Sequence, residues 1–245
     1  MITGPLFKCF GSKWLSSRLL PPPVFDEIYE PFAGGAGYSL RNYKKTCVLF
    51  EKDEQVAFLW RWLIQEATEA KIREIPQGLP EGTDIREIGL SPGQELLLKF
   101  WQRTNNVGNC WTVSSWGHLP GMWTENCRAR VAEQSQAIKH WKFGGTDWTL
   151  AFNVLTRDAT FLVDPPYEYN YRYRQPPINY FDLAVNCLNV TGQVIACEAV
   201  CQKTGKIPDY LPFQPWAKRI TSRRKEENNK YSSELLWTNS QPLLG

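Results

Sequence analysis

Hydrophobic and polar positions along the first fifty residues follow the order of a strand, a turn, a short helix and a second strand. The segments "IYEPF" (28–32) and "TCVLF" (46–50) have the length and the β-branched or aromatic content of buried strands. Between them lie the glycine-rich "AGGAG" (33–37) and the helix-like "YSLRNYKK" (38–45). The pattern predicts the opening of a wound α/β domain.

A helical pattern follows from about Asp53 to Ile72. Apolar side chains recur there at the spacing of one helix face, and we expect them to lie in the core. They are Val56, Leu59, Trp60, Leu63 and Ile64.

The segment "PQGLPEGTD" (76–84) is rich in Pro and Gly and marks a boundary. The residues after it, to about 130, are polar, aromatic and interrupted by glycines, without a strand–helix rhythm. The sequence therefore predicts an inserted module over 76–130, with 1–75 and 131–245 forming the main domain.

The strand and helix pattern resumes after the insert. The predicted strands are "IKHWKFGG" (138–145), "TFLV" (160–163), "GQVIACEAV" (192–200) and "ELLWTN" (234–239), and the predicted helices are "DWTLAFNVL" (147–155) and "INYFDLAVNCLN" (178–189). The basic segment "KRITSRRKEENNK" (218–230) is predicted to be a loop between the last strands.

Composition narrows the class of protein. The 28 basic and 25 acidic residues give a formal charge of +3, too small to indicate a polyanionic partner by itself. No window reaches about 18 consecutive apolar residues, and the start "MITGPLFKCFGSKW" has no signal-peptide pattern, so we expect neither secretion nor a membrane. Seven scattered cysteines without CxxC spacing indicate reduced cytoplasmic thiols and no metal site.

The segment "TFLVDPPYEYNYR" (160–172) ends a predicted strand in residues that cannot continue it. An ionised Asp164 can only accept hydrogen bonds, and Pro165 presents a carbonyl while its ring fixes φ. Two such acceptors suit a planar amine with two N–H bonds, and Tyr167 offers a ring on which an extruded base can stack. We therefore predict an amine-modifying site formed by Asp164, Pro165, Pro166 and Tyr167; a rigid turn facing water is the alternative.

Glycines follow the first predicted strand in "EPFAGGAG" (30–37). Glycine allows close approach of a ligand at the carboxyl end of a strand. The spacing of Gly34, Gly35 and Gly37 is not that of the dinucleotide fingerprint, so a purely structural turn is an equal alternative.

The second predicted strand ends in "VLFEKD" (48–53). An acid at this place can accept hydrogen bonds from both hydroxyls of a ribose, and Glu51 has the right position, with Asp53 as the second candidate. We expect Asp53, and not Glu51, to cap the helix that follows.

Four segments together resemble a known family. "FKCFGSK" (7–13), "EPFAGGAG", "VLFEKD" and "FLVDPPY", in this order, resemble the S-adenosylmethionine-dependent DNA N6-adenine methyltransferases of the Dam type, from bacteria and their phages. The resemblance covers about residues 6–65 and 138–170. It implies a Rossmann-like methyltransferase sheet with a smaller inserted target-recognition domain, methylation of a flipped adenine in duplex DNA, and a cytoplasmic protein of a bacterial or phage-infected cell that can act as a monomer.

The resemblance also implies roles for individual residues. The glycine loop would hold the methionine part of the cofactor, Glu51 its ribose in place of the family's usual Asp, and Phe143 and Asp147 would border its adenine. The amino-terminal segment would approach cofactor and base, although the family usually has Trp at Cys9 and Gly at Ser12. The implied cofactor-binding residues are Lys8, Gly11, Lys13, Glu30, Pro31, Phe32, Gly34, Gly35, Gly37, Glu51, Phe143 and Asp164.

The insert and the late basic segment supply candidate DNA contacts. "RTNNVG" (103–108) resembles an R-x-N-x-x-G stretch of the family's recognition region, which implies that Arg103 and Asn105 contact DNA. Arg223 and Arg224 are predicted to contact phosphates, with a solvated surface as the alternative.

Three other functions stay open. A cytosine-N4 methyltransferase would use the same two acceptors, but such enzymes typically have Ser at the position of Asp164. The other two are an RNA amine methyltransferase and a catalytically silent DNA-binding protein with the same fold.

Overall fold

The computed structural model describes residues 1–9, 11–102, 111–115, 122–154, 158–167, 178–199, 215–222 and 232–239. The strands are β1 (Glu27–Glu30), β2 (Thr46–Phe50), β3 (Lys142–Gly145), β4 (Ala159–Val163), β5 (Gln193–Ala199), β6 (Pro215–Ser222) and β7 (Ser232–Thr238). The α-helices are α1 (Gly37–Arg41), α2 (Glu54–Gln65), α3 (Glu69–Arg73), α4 (Pro92–Trp101), α5 (Glu125–Ser135) and α6 (Tyr180–Asn189). Short 3-10 helices lie at Ser16–Leu19, Ile85–Glu87, Gln136–Ile138 and Trp148–Val154.

Within the described ranges, seven strands form one sheet in the order β3-β2-β1-β4-β5-β7-β6. β1 pairs in parallel with β2 and β4, and β4 pairs in parallel with β5. β7 is antiparallel to both β5 and β6. The prediction of a wound α/β fold is confirmed at this level, because the order from β3 to β5 and the parallel pairing are compatible with a Rossmann-like sheet.

The prediction for the late basic segment is wrong in part. Residues 218–222 belong to β6, whereas the sequence predicted a loop beginning at Lys218. Trp216, Ile220 and Thr221 are β-prone, but the basic residues among them hid the strand pattern. β6 is the last strand in the order of the sheet.

The chain divides into two compact units. The first contains Met1–Leu15, Gly34–Lys44 and Glu54–Phe143, and the second contains Ser16–Ala33, Lys45–Asp53 and Gly144–Gly245. The predicted insert over 76–130 thus lies in the first unit, together with α2 and α3. Its role in target recognition stays a prediction.

In the first unit the predicted apolar stripe of α2 is buried, with Trp60, Leu59 and Leu63 fully inaccessible. The helical pattern predicted to Ile72 is interrupted, however, because α2 ends at Gln65 and a separate α3 begins at Glu69. Thr68 is extended, and its hydroxyl accepts a hydrogen bond from the amide of Lys71 at 3.2 Å. A β-branched N-cap therefore restarts the helix.

A small hook in the first unit joins residues 83–85 to residues 111–113. The amide of Ile85 donates to the carbonyl of Trp111, and the amide of Val113 donates to that of Thr83, both at 2.9 Å. The Lys99 ammonium lies 4.0 Å from the centre of the Trp111 ring, and the Arg86 guanidinium lies 5.8 Å from it. Both cations therefore stabilise the position of Trp111.

The second unit has a core on one face of the sheet. α6 contributes Leu183 and Cys187, which are fully buried. Val190, directly after α6, also belongs to this core. The strands and the Trp148–Val154 3-10 helix contribute the remaining members, which are Tyr29, Val48, Phe50, Ala151, Phe152, Ala159, Phe161, Val163, Val194, Ala196 and Trp237.

A buried glutamine, Gln193, forms hydrogen bonds at the amino-terminal ends of β4 and β5. Gln193 is 3% exposed, and its Oε1 accepts hydrogen bonds from the Thr160 hydroxyl at 2.8 Å and from the Val24 amide at 3.1 Å. Its Nε2 donates to the carbonyl of Pro22 at 3.2 Å. The starts of β4 and β5 are thereby tied to the segment before β1.

Among the helices of the described residues, none is long and apolar enough to cross a membrane.

The ion pair between Asp84 and Arg86 in the hook leads to a prediction about pH. Hydrogen bonds from the Arg86 side chain and amide lower the pKa of Asp84 to about 2. A carboxyl group with a lowered folded-state pKa stabilises the fold above its unfolded pKa of about 3.9, and this stabilisation is lost as the pH falls through the folded value. We expect Arg86→Gln to raise the midpoint of the Asp84 titration towards about 3.9, measured by ¹³C NMR.

Arg73→Gln is the matched control, because Arg73 pairs with Glu69 on α3 and not with Asp84. It should leave the Asp84 midpoint unchanged. If the midpoint also stayed low in Arg86→Gln, Arg86 would not be the cause of the shift.

Candidate functional site

The ends of β1, β2 and β4 lie on one edge of the sheet, here called the carboxyl edge. Parallel pairing places Glu27 opposite both Thr46 and Ala159, so the three strands run in the same direction. The residues that follow them are Pro31–Ala33, Glu51 and Asp164–Tyr167, and Glu30 is the last residue of β1. The sequence order reverses between β1 and β4, and wound sheets bind ligands at such a switch point.

The Asp164 side chain is half-buried directly after β4. The Tyr167 hydroxyl donates a hydrogen bond to Asp164 Oδ1 at 3.1 Å. Hydrogen bonds to a carboxylate are stronger than those between neutral groups, so this contact orients the Asp164 side chain.

The two prolines between these residues differ in their surroundings. Pro165 is buried and Pro166 is half-buried, and the carbonyl of Pro166 accepts a hydrogen bond from the Tyr180 hydroxyl. The hydrogen bonds described at this turn do not use the Pro165 carbonyl. The Tyr167 ring is 7% exposed, so stacking of a base on it requires that the ring expose more of its face.

The glycine turn after β1 has an unusual backbone. Gly34 has φ of +47°, and Ala36 has φ of +44°, which is rare for a residue with a side chain. The Gly34 carbonyl accepts a hydrogen bond from the Trp60 indole at 2.8 Å, and the Ala33 amide donates to the Phe50 carbonyl at 2.9 Å. Held backbone strain of this kind is common at functional sites.

The amino-terminal segment packs against this turn within the first unit. A Cβ atom on Gly35 would lie 2.8 Å from the Ser12 hydroxyl, and one on Gly37 would lie 2.2 Å from the Trp14 amide nitrogen. The Ser12 hydroxyl is buried and has no hydrogen-bond partner among the described residues. The structure thus brings the predicted amino-terminal segment and the predicted glycine turn together.

The implied residues of this segment have different environments. Lys13 is 5% exposed, and its ammonium donates to the carbonyl of the exposed Gly11 at 3.4 Å. The Lys8 ammonium contacts the Met122 sulfur at 2.7 Å and lies 5.5 Å from the centre of the Trp101 ring. Burial lowers the pKa of Lys8 from its ordinary value.

Acidic residues stand at the ends of β1 and β2. Glu30 is 2% exposed, whereas Glu51 is half-buried. Glu51 Oε1 accepts a hydrogen bond from the amide of Asp53 at 2.8 Å, just before α2 begins. This contact reaches the amide of the residue before α2 and not an amide of the helix, so the predicted capping of α2 by Asp53 stays a prediction.

β3 and the residues after it contain the predicted Phe143 and Asp147, and also Trp148, which the sequence did not indicate. Phe143 is half-buried, with the Arg61 guanidinium 5.6 Å from its ring centre, and Asp147 accepts hydrogen bonds from the amide and hydroxyl of Thr149. Trp148, which was not selected, stacks on Phe32 with ring centres 5.6 Å apart. The available signal was a large aromatic residue at the start of the predicted helix 147–155, three residues after the predicted strand ends at Gly145.

The predicted DNA contacts Arg103, Asn105, Arg223 and Arg224 lie outside the described residues. Their roles stay predictions.

The close packing at Gly37 gives a test of the glycine turn. The atoms nearest to an added Cβ belong to the backbone of Lys13 and Trp14, which cannot move aside as a side chain could. We expect Gly37→Ala to lower the free energy of unfolding by about 3 kcal/mol or more, measured by urea denaturation.

Gly78→Ala is the control, because Gly78 also lies in the first unit and has φ of +68° but no atom within 4 Å of an added Cβ. Its cost should be about 1–2 kcal/mol, from backbone strain alone. Equal losses for the two variants would mean that the packing of the amino-terminal segment on the turn contributes nothing.

A scan against protein-family models finds no match for this chain, and a search of curated proteins finds no similar sequence.

Proposed function

We propose that this protein transfers a methyl group from S-adenosylmethionine to the N6 amine of an adenine in duplex DNA. The observation that carries the proposal is the half-buried Asp164 carboxylate in a prolyl turn directly after β4, held by the Tyr167 hydroxyl. The end of β1, where the glycine turn starts, lies on the neighbouring strand at the same edge.

The chemistry of an aromatic amine explains the choice of residues. The lone pair of such a nitrogen is delocalised into the ring, so a site must accept both N–H bonds to make the nitrogen a better nucleophile. The Asp164 carboxylate would accept one N–H, and the Pro165 carbonyl would accept the other. A proline at this place also keeps the carbonyl direction fixed, because its ring restricts φ.

Acceptor groups at the carboxyl edge would suit the ribose of S-adenosylmethionine. Glu51 offers carboxylate oxygens after β2 that could accept hydrogen bonds from the two ribose hydroxyls. The resemblance assigns the methionine part of the cofactor to the glycine-rich segment after Glu30. When bound, the cofactor would supply an electrophilic methyl group, so that an N–C bond forms as the S–C bond breaks and the amine proton passes to water.

The protein's contribution is then mainly orientation. Effective molarity in well-aligned reactions is worth about 7–11 kcal/mol, so residues that fix the amine can supply much of the rate. For duplex DNA, extrusion of the base costs a few kcal/mol of unstacking before Asp164 can reach the amine. The candidate contacts Arg103, Asn105, Arg223 and Arg224 would supply affinity for the duplex.

The test begins with the full-length protein, methyl-labelled S-adenosylmethionine and unmethylated genomic DNA, followed by nucleoside analysis by mass spectrometry. N6-methyladenine supports the proposal. N4-methylcytosine would reassign the base, methylation of structured RNA in preference to duplex DNA would reassign the polymer, and cofactor binding without any product would indicate a catalytically silent relative.

For this reaction we expect Asp164→Ala to lower the methylation rate by about 10³-fold or more, because one of the two amine acceptors is lost. Its affinity for S-adenosylmethionine, measured by calorimetry, should fall far less than the rate, because Asp164 is only one of the twelve cofactor-binding residues that the resemblance implies. Asp158→Ala is the control, because Asp158 is an exposed acid just before β4. This variant should methylate DNA at the normal rate. Normal turnover by Asp164→Ala would overturn the mechanism.

Removal of the Glu51 carboxylate should act mainly on cofactor binding, whereas Asp164→Ala acts mainly on the rate. We expect Glu51→Ala to weaken binding of S-adenosylmethionine by about tenfold or more, since two hydrogen bonds to a charged group are lost. Glu54→Ala, at an exposed acid three residues later, serves as the control. An unchanged dissociation constant for Glu51→Ala would place the ribose elsewhere.

A further inference from the structure

The Tyr180 hydroxyl reaches the turn that carries Asp164. Tyr180 is the first residue of α6, and its hydroxyl donates a hydrogen bond to the Pro166 carbonyl. The ring is partly buried against the hydrophobic core of the second unit. The contact therefore connects a packed helix with the prolyl turn, fourteen residues away in the chain.

The start of α6 is fixed by an N-cap. Asn179 is the N-cap, and its Oδ1 accepts hydrogen bonds from the amides of Phe181 and Asp182 at 3.1 and 3.3 Å. An Asn cap of this kind typically contributes about 1 kcal/mol to a helix. The capped first turn fixes the backbone from which the Tyr180 side chain extends.

The backbone of the prolyl turn has little rotational freedom once Tyr167 and Tyr180 have formed their hydrogen bonds. The rings of Pro165 and Pro166 restrict their φ angles, so the remaining rotations are chiefly about ψ. The Tyr167 hydroxyl donates to Asp164 Oδ1 at 3.1 Å, and the Tyr180 hydroxyl donates to the Pro166 carbonyl. The peptide plane between Pro166 and Tyr167 is thereby constrained.

We propose that Tyr180 is a positioning residue for the amine site. By holding the Pro166 carbonyl, it fixes the directions in which the Asp164 carboxylate and the Pro165 carbonyl present their oxygen atoms. This inference rests on the proposed function. A displacement of about 1 Å in such a site can cost about 10²-fold in rate, so one hydroxyl group on the neighbouring helix is enough to matter.

The variant Tyr180→Phe removes the hydroxyl and keeps the ring in the core. We expect its single-turnover methylation rate, at saturating DNA and S-adenosylmethionine, to fall by about tenfold or more. The dissociation constants for DNA and cofactor should stay within about twofold of the unmodified protein, since Tyr180 would act on the reacting geometry and not on binding.

Tyr29→Phe is the matched control. Tyr29 is 5% exposed in the same core, and its hydroxyl contacts Glu27 at 3.4 Å, away from the prolyl turn. It should methylate at the normal rate. An equal fall in both variants, or a normal rate in Tyr180→Phe, would overturn the positioning role.

A second measurement does not need activity. In ¹H–¹⁵N NMR spectra of the full chain, Tyr180→Phe should shift the amide signals of Asp164 and Tyr167, and Tyr29→Phe should not. If the unmodified protein methylated no DNA, the proposed function would fail, while these signals would still show whether Tyr180 holds the turn. Unchanged Asp164 and Tyr167 signals in Tyr180→Phe would overturn the inference by themselves.

Discussion

The parallel pairing of β1 with β4 is the constraint on which the candidate site depends. These strands are neighbours in the sheet although about 130 residues separate them, with Glu27 opposite Ala159 and Tyr29 opposite Phe161. Parallel strands end at the same edge, so the residues after β1 and after β4 must meet there. If the pairing were antiparallel, Asp164 and Glu30 would lie at opposite edges, and no single ligand could contact both.

The core beneath this edge makes the pairing rigid. Tyr29 stacks on Phe161 with ring centres 5.1 Å apart, and Phe161 stacks on Phe152 at 5.6 Å. Phe152 contacts Trp148 edge-on at 5.9 Å, and Trp148 in turn stacks on Phe32 after β1. Each aromatic pair contributes about 0.5–1.5 kcal/mol beyond its buried area. This aromatic series connects the centre of the sheet with the loops of the carboxyl edge, so their positions depend on the same packing.

The sequence predicted those features that depend on local pattern. Strand segments, the glycine turn and the prolyl turn could be read directly, and their order along a wound sheet implied that they share one edge. The sequence did not predict features that depend on a tertiary contact or that a competing sequence signal masks. The break at Thr68 depends on one side-chain cap, and β6 was hidden by its basic residues. The contact between Tyr180 and Pro166 joins residues fourteen positions apart that no periodicity pairs.

The environment of Tyr167 changes the role that its sequence position suggested. Its hydroxyl is bonded to Asp164 and its ring is 7% exposed, so in this conformation it orients the carboxylate and offers little surface to a base. A hydrogen bond to a charged group is worth about 1.5–3 kcal/mol, and stacking of a base on an aromatic ring is worth about 1–3 kcal/mol. Because these values are similar, exchanging one contact for the other costs little. Under the proposed function, the same tyrosine would orient Asp164 before an amine arrives and stack on the base afterwards.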